Sequence, residues 1–383
     1  MKKVLHLVIQ FAAFTASSQS LIVGTVIDNG TNQPMRFVDV YLASTSTGSS
    51  TDNNGSFRFV VKNKGKFDLV ASFVGYATIQ IPLLITVDST RHFDIRLRQK
   101  SSELPDIVVR ADTSSRKKDF AEFKRFFLGE TKNASSCKIK NPKDIYVYTD
   151  EAEHVLVAFA KAPIILESRS LGYRILYDLQ EFEFNYTTDI IHIKGIPRFQ
   201  ELTSASEHEN EHLNRVRKKL YEGSLMHLLY SILNNRLPEE GWNVTIEYPW
   251  IRKPEEFIKS KIRFHRNFNN WDSVNYYKEM RLGPPHSKPL HGSELMSEND
   301  KHLLIFKGTI RIEFRKGRDE RYVPLTRGSY SAPFQKSMIK FQDKPTRIYD
   351  NGYYEPQQNL FVEGYFSWIS RIGDLLPYDF QTK

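Results

Sequence analysis

The sequence predicts a mainly β protein, an N-terminal antiparallel β-sandwich followed by a larger β-rich α+β domain. Phe57, Phe59 and Val61 alternate with Arg58 and Val60, and Phe67, Leu69, Ala71 and Phe73 alternate with Asp68, Val70 and Ser72. This period of two turns one face of each strand to a core. Asn29-Gly30, Asn53-Asn54-Gly55 and the stretch around Gly65 supply turns between these runs. Further on, Phe182, Phe184 and Tyr186 alternate with Glu183 and Asn185, and Ile310, Ile312 and Phe314 alternate with Arg311 and Glu313. Many short strands with regular turn signals are the pattern of sandwiches and other antiparallel folds.

Read from its first residue, the chain opens with Lys2 and Lys3, an apolar run from Val4 to Ala16, and Ser17-Ser18-Gln19. This is the pattern of a signal peptide, expected at residues 1–19, and the run is too short to span a bilayer as a helix. No later stretch is long and apolar enough to do so. The sandwich is expected at residues 21–99. Gly75-Tyr76 ends one of its strands with a residue free in its dihedrals and an aromatic able to close the sandwich end. Residues 100–118 read as a linker with one short apolar segment, Leu104–Val109, and residues 119–383 as the β-rich α+β domain.

Within that second domain the pattern predicts a helix over Phe120–Leu128, stopped by Gly129. Ile145–Tyr148 and Val155–Lys161 predict a hairpin, and Ile191–Lys194 a further strand. A long helix is expected from about His208 to Asn234, with a phase shift near Gly223-Ser224. Lys278–Ser297, rich in Pro, Gly and His, reads as a surface loop. Met338–Phe341 and Arg347–Tyr349 are expected strands, and Asn351-Gly352 a tight turn.

The segments GTVID at Gly24–Asp28, PMRFVDVYL at Pro34–Leu42, TDNNGSFRF at Thr51–Phe59 and FDLVASFVGY at Phe67–Tyr76 resemble the carboxypeptidase regulatory-like, transthyretin-like domain of bacterial envelope proteins. The resemblance covers about residues 21–99. It implies an exported protein, periplasmic or outer-membrane associated, whose partner is an envelope protein or polysaccharide. Leu104–Val109 is similar to the TonB-box-like strand that follows this module in glycan-import receptors, which makes an accessory part of an import system an alternative. The remaining chain is too short for a plug and a barrel of about 22 strands. The C-terminal half resembles that of other exported proteins of unknown activity. In carboxypeptidases this module is the accessory domain, so the resemblance carries fold and not peptidase activity.

The formal charge of +9 falls to (54 − 2) − 45 = +7 without Lys2 and Lys3. Its visible clusters, Arg116-Lys117-Lys118 and Arg217-Lys218-Lys219, read as solvated faces or linker, and nucleic acid is not an expected partner of an exported protein. A dispersed positive charge favours weak, salt-sensitive attraction to anionic lipid or polysaccharide. Cys137, the only cysteine, reads as a buried small hydrophobe, and one thiol forms no internal disulfide.

One motif suggests chemistry. His208-Glu209-Asn210-Glu211-His212 matches the zinc-protease pattern, with histidines four apart on one helix face and Glu209 as base. That face continues through Arg215 and Lys219, two permanent cations that oppose a divalent metal, and the flanks are polar. A solvated helix start is therefore the expected role of His208, Glu209 and His212, and an exported metal-dependent hydrolase the alternative. No catalytic residue, metal or cofactor is predicted. Glu239-Glu240 and Glu255-Glu256, each beside a proline, read as helix starts. Tyr353, Tyr354 and Trp368 are the candidate ligand-binding residues, within the aromatic cluster that includes Phe361, Tyr365 and Phe366. Aromatic faces stack on sugars, but in a β-rich domain these side chains and Trp242, Trp250 and Trp271 are more often core contacts. The function expected from the sequence is a non-enzymatic envelope protein with a binding or scaffolding role.

Overall fold

The computed structural model describes residues 19–86, 88–100, 113–203, 206–247, 255–282, 288–321, 333–342 and 344–380. Most of the expected signal peptide, the Leu104–Val109 segment and Trp250 lie outside them. The chain divides into two compact units, residues 1–43 with 47–103, and residues 44–46 with 104–383.

The first unit is a β-sandwich built from β1 (Ser20–Asp28), β2 (Asp39–Leu42), β3 (Gly48–Ser50), β4 (Ser56–Val61), β5 (Gly65–Ser72), β6 (Ile79–Ile85) and β7 (Thr90–Leu97). One sheet has the order β4-β1-β7 and the other β3-β2-β5-β6. Between them lie the inward residues of each strand, among them Ile22, Val40, Phe57, Phe67, Leu69 and Leu97. The pairing departs from the expected antiparallel pattern at one place, where β1 and β7 run parallel. These two strands are the first and last of the unit, so a long connection is available to bring them side by side in one direction. Gly75 takes φ +83°, and the Tyr76 hydroxyl then donates to Asp28 Oδ2 at 2.5 Å. That contact holds the Asp28 carboxyl below the usual carboxylate range and closes the sandwich end.

The second unit begins with α1 (Thr113–Leu128) and α2 (Lys132–Ser136), followed by β8 (Cys137–Ile139), β9 (Ile145–Asp150), β10 (Val155–Ala160), β11 (Ile164–Ser168), β12 (Tyr173–Asn185) and β13 (Ile190–Glu201). The helix expected from Phe120 starts at Thr113, inside the span read as linker. Arg116, Lys117 and Lys118 are good helix formers, and a polar first turn needs no core contact to propagate. Strands β8 to β12 form an antiparallel sheet in the order β8-β11-β12-β10-β9, with β13 paired along β12. Gly195 in β13 is required by close approach, because a Cβ there would meet the Tyr177 ring at 2.3 Å. Phe123 and Phe127 pack on this sheet beside Phe182 and Tyr177, each such burial contributing about 1.5–3 kcal/mol.

The rest of the unit comprises α3 (Glu207–Tyr221), α4 (Leu225–Leu233), α5 (Leu237–Glu240), β14 (Trp242–Glu247), α6 (Glu255–Asn267), α7 (Trp271–Leu282), α8 (Gly292–Leu295), β15 (Leu303–Leu304), β16 (Gly308–Arg318), β17 (Phe334–Phe341), β18 (Thr346–Ile348), β19 (Tyr354–Glu355), β20 (Leu360–Gly364) and α9 (Tyr365–Ile369). Strands β14-β16-β17-β20 form an antiparallel sheet, and β15-β18-β19 a smaller one. A second core lies between them and α4, with Leu228, Ile232, Trp242, Ile312, Phe314, Ile339 and Phe366. The single long helix expected over 208–234 is two. Gly223, at φ +86°, breaks it, and Ser224 caps α4 by accepting the His227 N–H. The expected loop over 278–297 is shortened at both ends, since α7 runs to Leu282 and α8 occupies Gly292–Leu295.

Candidate functional site

The zinc-protease-like residues His208, Glu209 and His212 are all exposed in the first turns of α3. Ser206 caps this helix by accepting the Glu209 N–H at 3.2 Å. The buried residues of α3 are Leu213 and Arg217, on the opposite side at 100° per residue. The two histidines therefore face solvent. Among the described residues no group of three His, Cys, Asp or Glu side chains is placed to hold a metal.

Arg217 corrects the reading of Arg217-Lys218-Lys219 as a solvated run. It is 7% exposed, donates to the Leu171 carbonyl at 2.8 Å and to Glu201 at 3.1 Å, and lies 3.9 Å over the Tyr173 ring. The helical position shared with Leu213 was the available signal, and the adjoining lysines masked it.

Two of the three ligand-binding candidates, Tyr353 and Trp368, sit in separate ring clusters. Tyr353 sits with Tyr349 and Tyr378, at centroid distances of 6.0 and 5.7 Å. Trp368 lies against Tyr365 at 5.5 Å, and both Tyr354 and Trp368 pack on the edge of the second core. Tyr365, Phe366 and Trp242 are buried in it. Trp271, which shares the expectation of a core role, is instead 54% exposed.

The buried groups with chemical potential are held by structural partners. His227 Nδ1 accepts the Gly223 N–H at 3.2 Å, which leaves Nε2 to donate to Glu240 at 3.4 Å. Trp242 and Phe314 flank the ring, and burial pushes its pKa down. Asp374 accepts hydrogen bonds from Thr131 and Asn133. Burial pushes the Cys137 thiol up to about 11, so the thiolate form that nucleophilic chemistry requires is disfavoured.

A different place has the form of a recognition site. Arg116, Lys117 and Phe120 from α1, with Pro142 and Lys143 from the short turn before β9, line an open depression of about 350 Å³. Among the described residues its lining carries cations and no carboxylate. Two nearby acids face other partners: Asp119 accepts from Thr149 at 2.9 Å, and Asp144 from Asn141 at 2.9 Å. The first turn of α1 contains no acid, so the positive end of the helix dipole adds to the cationic side chains. An anionic group beside an apolar surface fits this depression. The sequence reading missed it because Arg116 and Lys117 were placed in the linker and Lys143 is a lone cation until the fold brings it to α1.

Residues 22–109 match the CarboxypepD_reg-like domain family, and the N-terminal sandwich is a domain of that kind. No curated protein matches the sequence. Among solved structures, a type II cohesin–X-dockerin complex from Acetivibrio cellulolyticus is 15% identical, with 29% of this chain and 77% of that chain covered at a TM-score of 0.19. The major pilin subunit of Bacillus cereus is 10% identical, covering 49% and 70% at 0.19. A DUF3823 family protein from Bacteroides ovatus is 8% identical, covering 49% and 82% at 0.15. Similarity at this level transfers no function.

Proposed function

We propose that this protein is a non-enzymatic component of the bacterial envelope that binds an acidic polysaccharide. Its observation is the depression formed by Arg116, Lys117, Phe120, Pro142 and Lys143. Cations supply long-range attraction to a polyanion, and the Phe120 and Pro142 surfaces offer apolar contact to a sugar face. The domain matched at residues 22–109 acts as spacer or scaffold in this reading, and the second unit, from α1 at Thr113 onward, as the binding domain. In this reading Lys2-Lys3 and the apolar run Val4–Ala16 act as a signal for export, with cleavage near Gln19. The structural roles of His227, Asp374 and Cys137 support binding rather than catalysis.

Retention on an immobilised polyuronate, compared with neutral dextran, tests the proposal. The wild-type protein is expected to be retained at low salt and released at high salt. Arg116→Glu/Lys117→Glu/Lys143→Glu should abolish retention without loss of helical signal. Equal retention of that variant would refute the depression as the site.

A further inference from the structure

Helices α6 and α7 form an antiparallel hairpin inserted between strands β14 and β16, and the dominant packing of each is against the other. Ile258 and Val274 take buried positions in it, and the His265 ring stacks on Tyr277 at 5.5 Å. Large aromatics nevertheless remain outside. Phe264 is 54% exposed, Phe268 70% and Trp271 54%, all at the end where the chain reverses, and Phe257 further along α6 is 40% exposed. Phe257 and Phe264 are separated by about two helical turns, and Phe264 and Phe268 by about one, so they share a side. The Phe264 and Phe268 rings lie 4.9 Å apart. Exposed aromatics gathered at one end of a helix pair, two of them in ring contact, mark an interaction site.

Charge identifies the occupant. Lys259, Lys261, Arg263 and Arg266 accompany the aromatics along α6, and from Lys259 to Val274 the only acid is Asp272. The two acids of α6, Glu255 and Glu256, lie in its first turn, at the end remote from the reversal, and Glu255 is paired with Lys259. An aromatic tip with a basic collar is complementary to one kind of surface, an apolar layer beneath anionic headgroups. Phe and Trp side chains enter the interfacial zone while Arg and Lys remain among the phosphates.

We infer that the α6–α7 hairpin docks the protein on an anionic phospholipid membrane surface, with Phe264, Phe268 and Trp271 inserted at the headgroup level and Arg263 and Arg266 on the phosphates. This surface is separate from the Arg116–Lys143 depression, and neither reading requires the other.

Co-sedimentation of the purified protein with phosphatidylglycerol-containing vesicles and with pure phosphatidylcholine vesicles tests the inference. Brominated acyl chains report insertion as the part of the tryptophan quenching that Trp271→Phe removes. Binding to the anionic vesicles, quenching, and release by high salt are expected. Phe264→Ser/Phe268→Ser/Trp271→Ser should weaken vesicle binding at least about tenfold, since each removes apolar area from the inserted tip. Arg263→Glu/Arg266→Glu should weaken it comparably while leaving the aromatics in place. Circular dichroism and thermal unfolding verify that both variants are folded. Equal binding to both vesicle types, or undiminished binding of a folded triple variant, would overturn the inference. So would an absence of vesicle binding, and a self-association that the triple variant loses would then make a second copy the occupant.

Discussion

Thr131 donates its hydroxyl to both oxygens of Asp374, at 2.8 and 2.7 Å, and the same oxygen accepts the Ala134 N–H at 3.0 Å. One side chain thus caps α2 and anchors the C-terminal turn Ile372–Asp374. Ile372 in that turn belongs to the core beneath α1, so a local cap and a long-range closure depend on one hydroxyl. Thr131→Val keeps the shape and removes both contacts. A loss of about 2–4 kcal/mol is expected from a missing cap plus a buried carboxyl deprived of its donor, read as a lower urea midpoint. A midpoint equal to wild type would show that the turn is held by packing alone.

Asp374 carries a pH signature. Burial raises its pKa to about 6, against the opposing hydrogen bonds from Thr131 and Asn133. The unfolded value is about 3.9, so between the two the native state binds more protons than the unfolded state. Its contribution to stability is therefore fully present below about pH 4 and lost as pH rises through about 6, by on the order of 3 kcal/mol at most. Asp374→Asn, neutral throughout, should remove this component. Denaturation across that range checks it, and an unchanged slope would place the titration elsewhere.

The local pattern made much of the fold legible. Alternation at Phe57–Val61 and Phe67–Phe73 located β4 and β5, because a strand with one buried face writes its period into the sequence. The Ile145–Tyr148 and Val155–Lys161 hairpin appears as β9 and β10, paired from Ile145↔Ala160 to Asp150↔Val155. Glu255-Glu256 marked the start of α6, but its extent and α7 were missed, because among the described residues the two helices bury little beyond Ile258 and Val274. The proposed binding surfaces were the least legible. Lys143 meets Arg116 and Lys117 only through tertiary packing, and exposure rather than residue type separates Trp271 from Trp242.

His227 has the opposite sign to Asp374. Its ring is buried and neutral, with burial as the main cause of its lowered pKa and Glu240 partly offsetting it. The unfolded state, with a pKa of about 6.5, takes up the proton first, so this stabilisation is present above about pH 6.5 and lost as pH falls below it. His227→Phe should remove that acid sensitivity. It should also lower stability at neutral pH by about 1–3 kcal/mol, because the Gly223 N–H loses its acceptor. The two titrations oppose each other in the wild type. Asp374→Asn should therefore be the more acid-sensitive variant and His227→Phe the less, and pH-dependent unfolding of both would expose a reversed order.

Arg217 distinguishes charge from geometry. Its guanidinium reaches the Leu171 and Gly172 carbonyls at 2.8 and 3.4 Å while pairing with Glu201 and covering Tyr173. An ammonium keeps the charge but cannot make this planar set of contacts. Arg217→Lys should cost about 2–4 kcal/mol, by loss of buried donors to two carbonyls. Lys218→Ala, one residue further on the exposed side, should change stability by less than about 0.5 kcal/mol. Equal effects at the two positions in thermal unfolding would refute the distinction.

The histidines of α3 provide the remaining test. His208 and His212 project to solvent from a helix anchored by Leu213 and Arg217. Two imidazoles alone give a weak, open site, whereas a structural or catalytic zinc needs at least a third protein ligand. The purified protein should contain substoichiometric zinc by elemental analysis, and a chelator should leave its unfolding midpoint unchanged. His208→Ala/His212→Ala should alter stability by less than about 0.5 kcal/mol, because exposed substitutions by a good helix former remove no packing. Stoichiometric zinc lost with that double variant would instead make the α3 start a metal site. It would then require a third ligand from residues outside those described, and the hydrolase reading would displace the binding one.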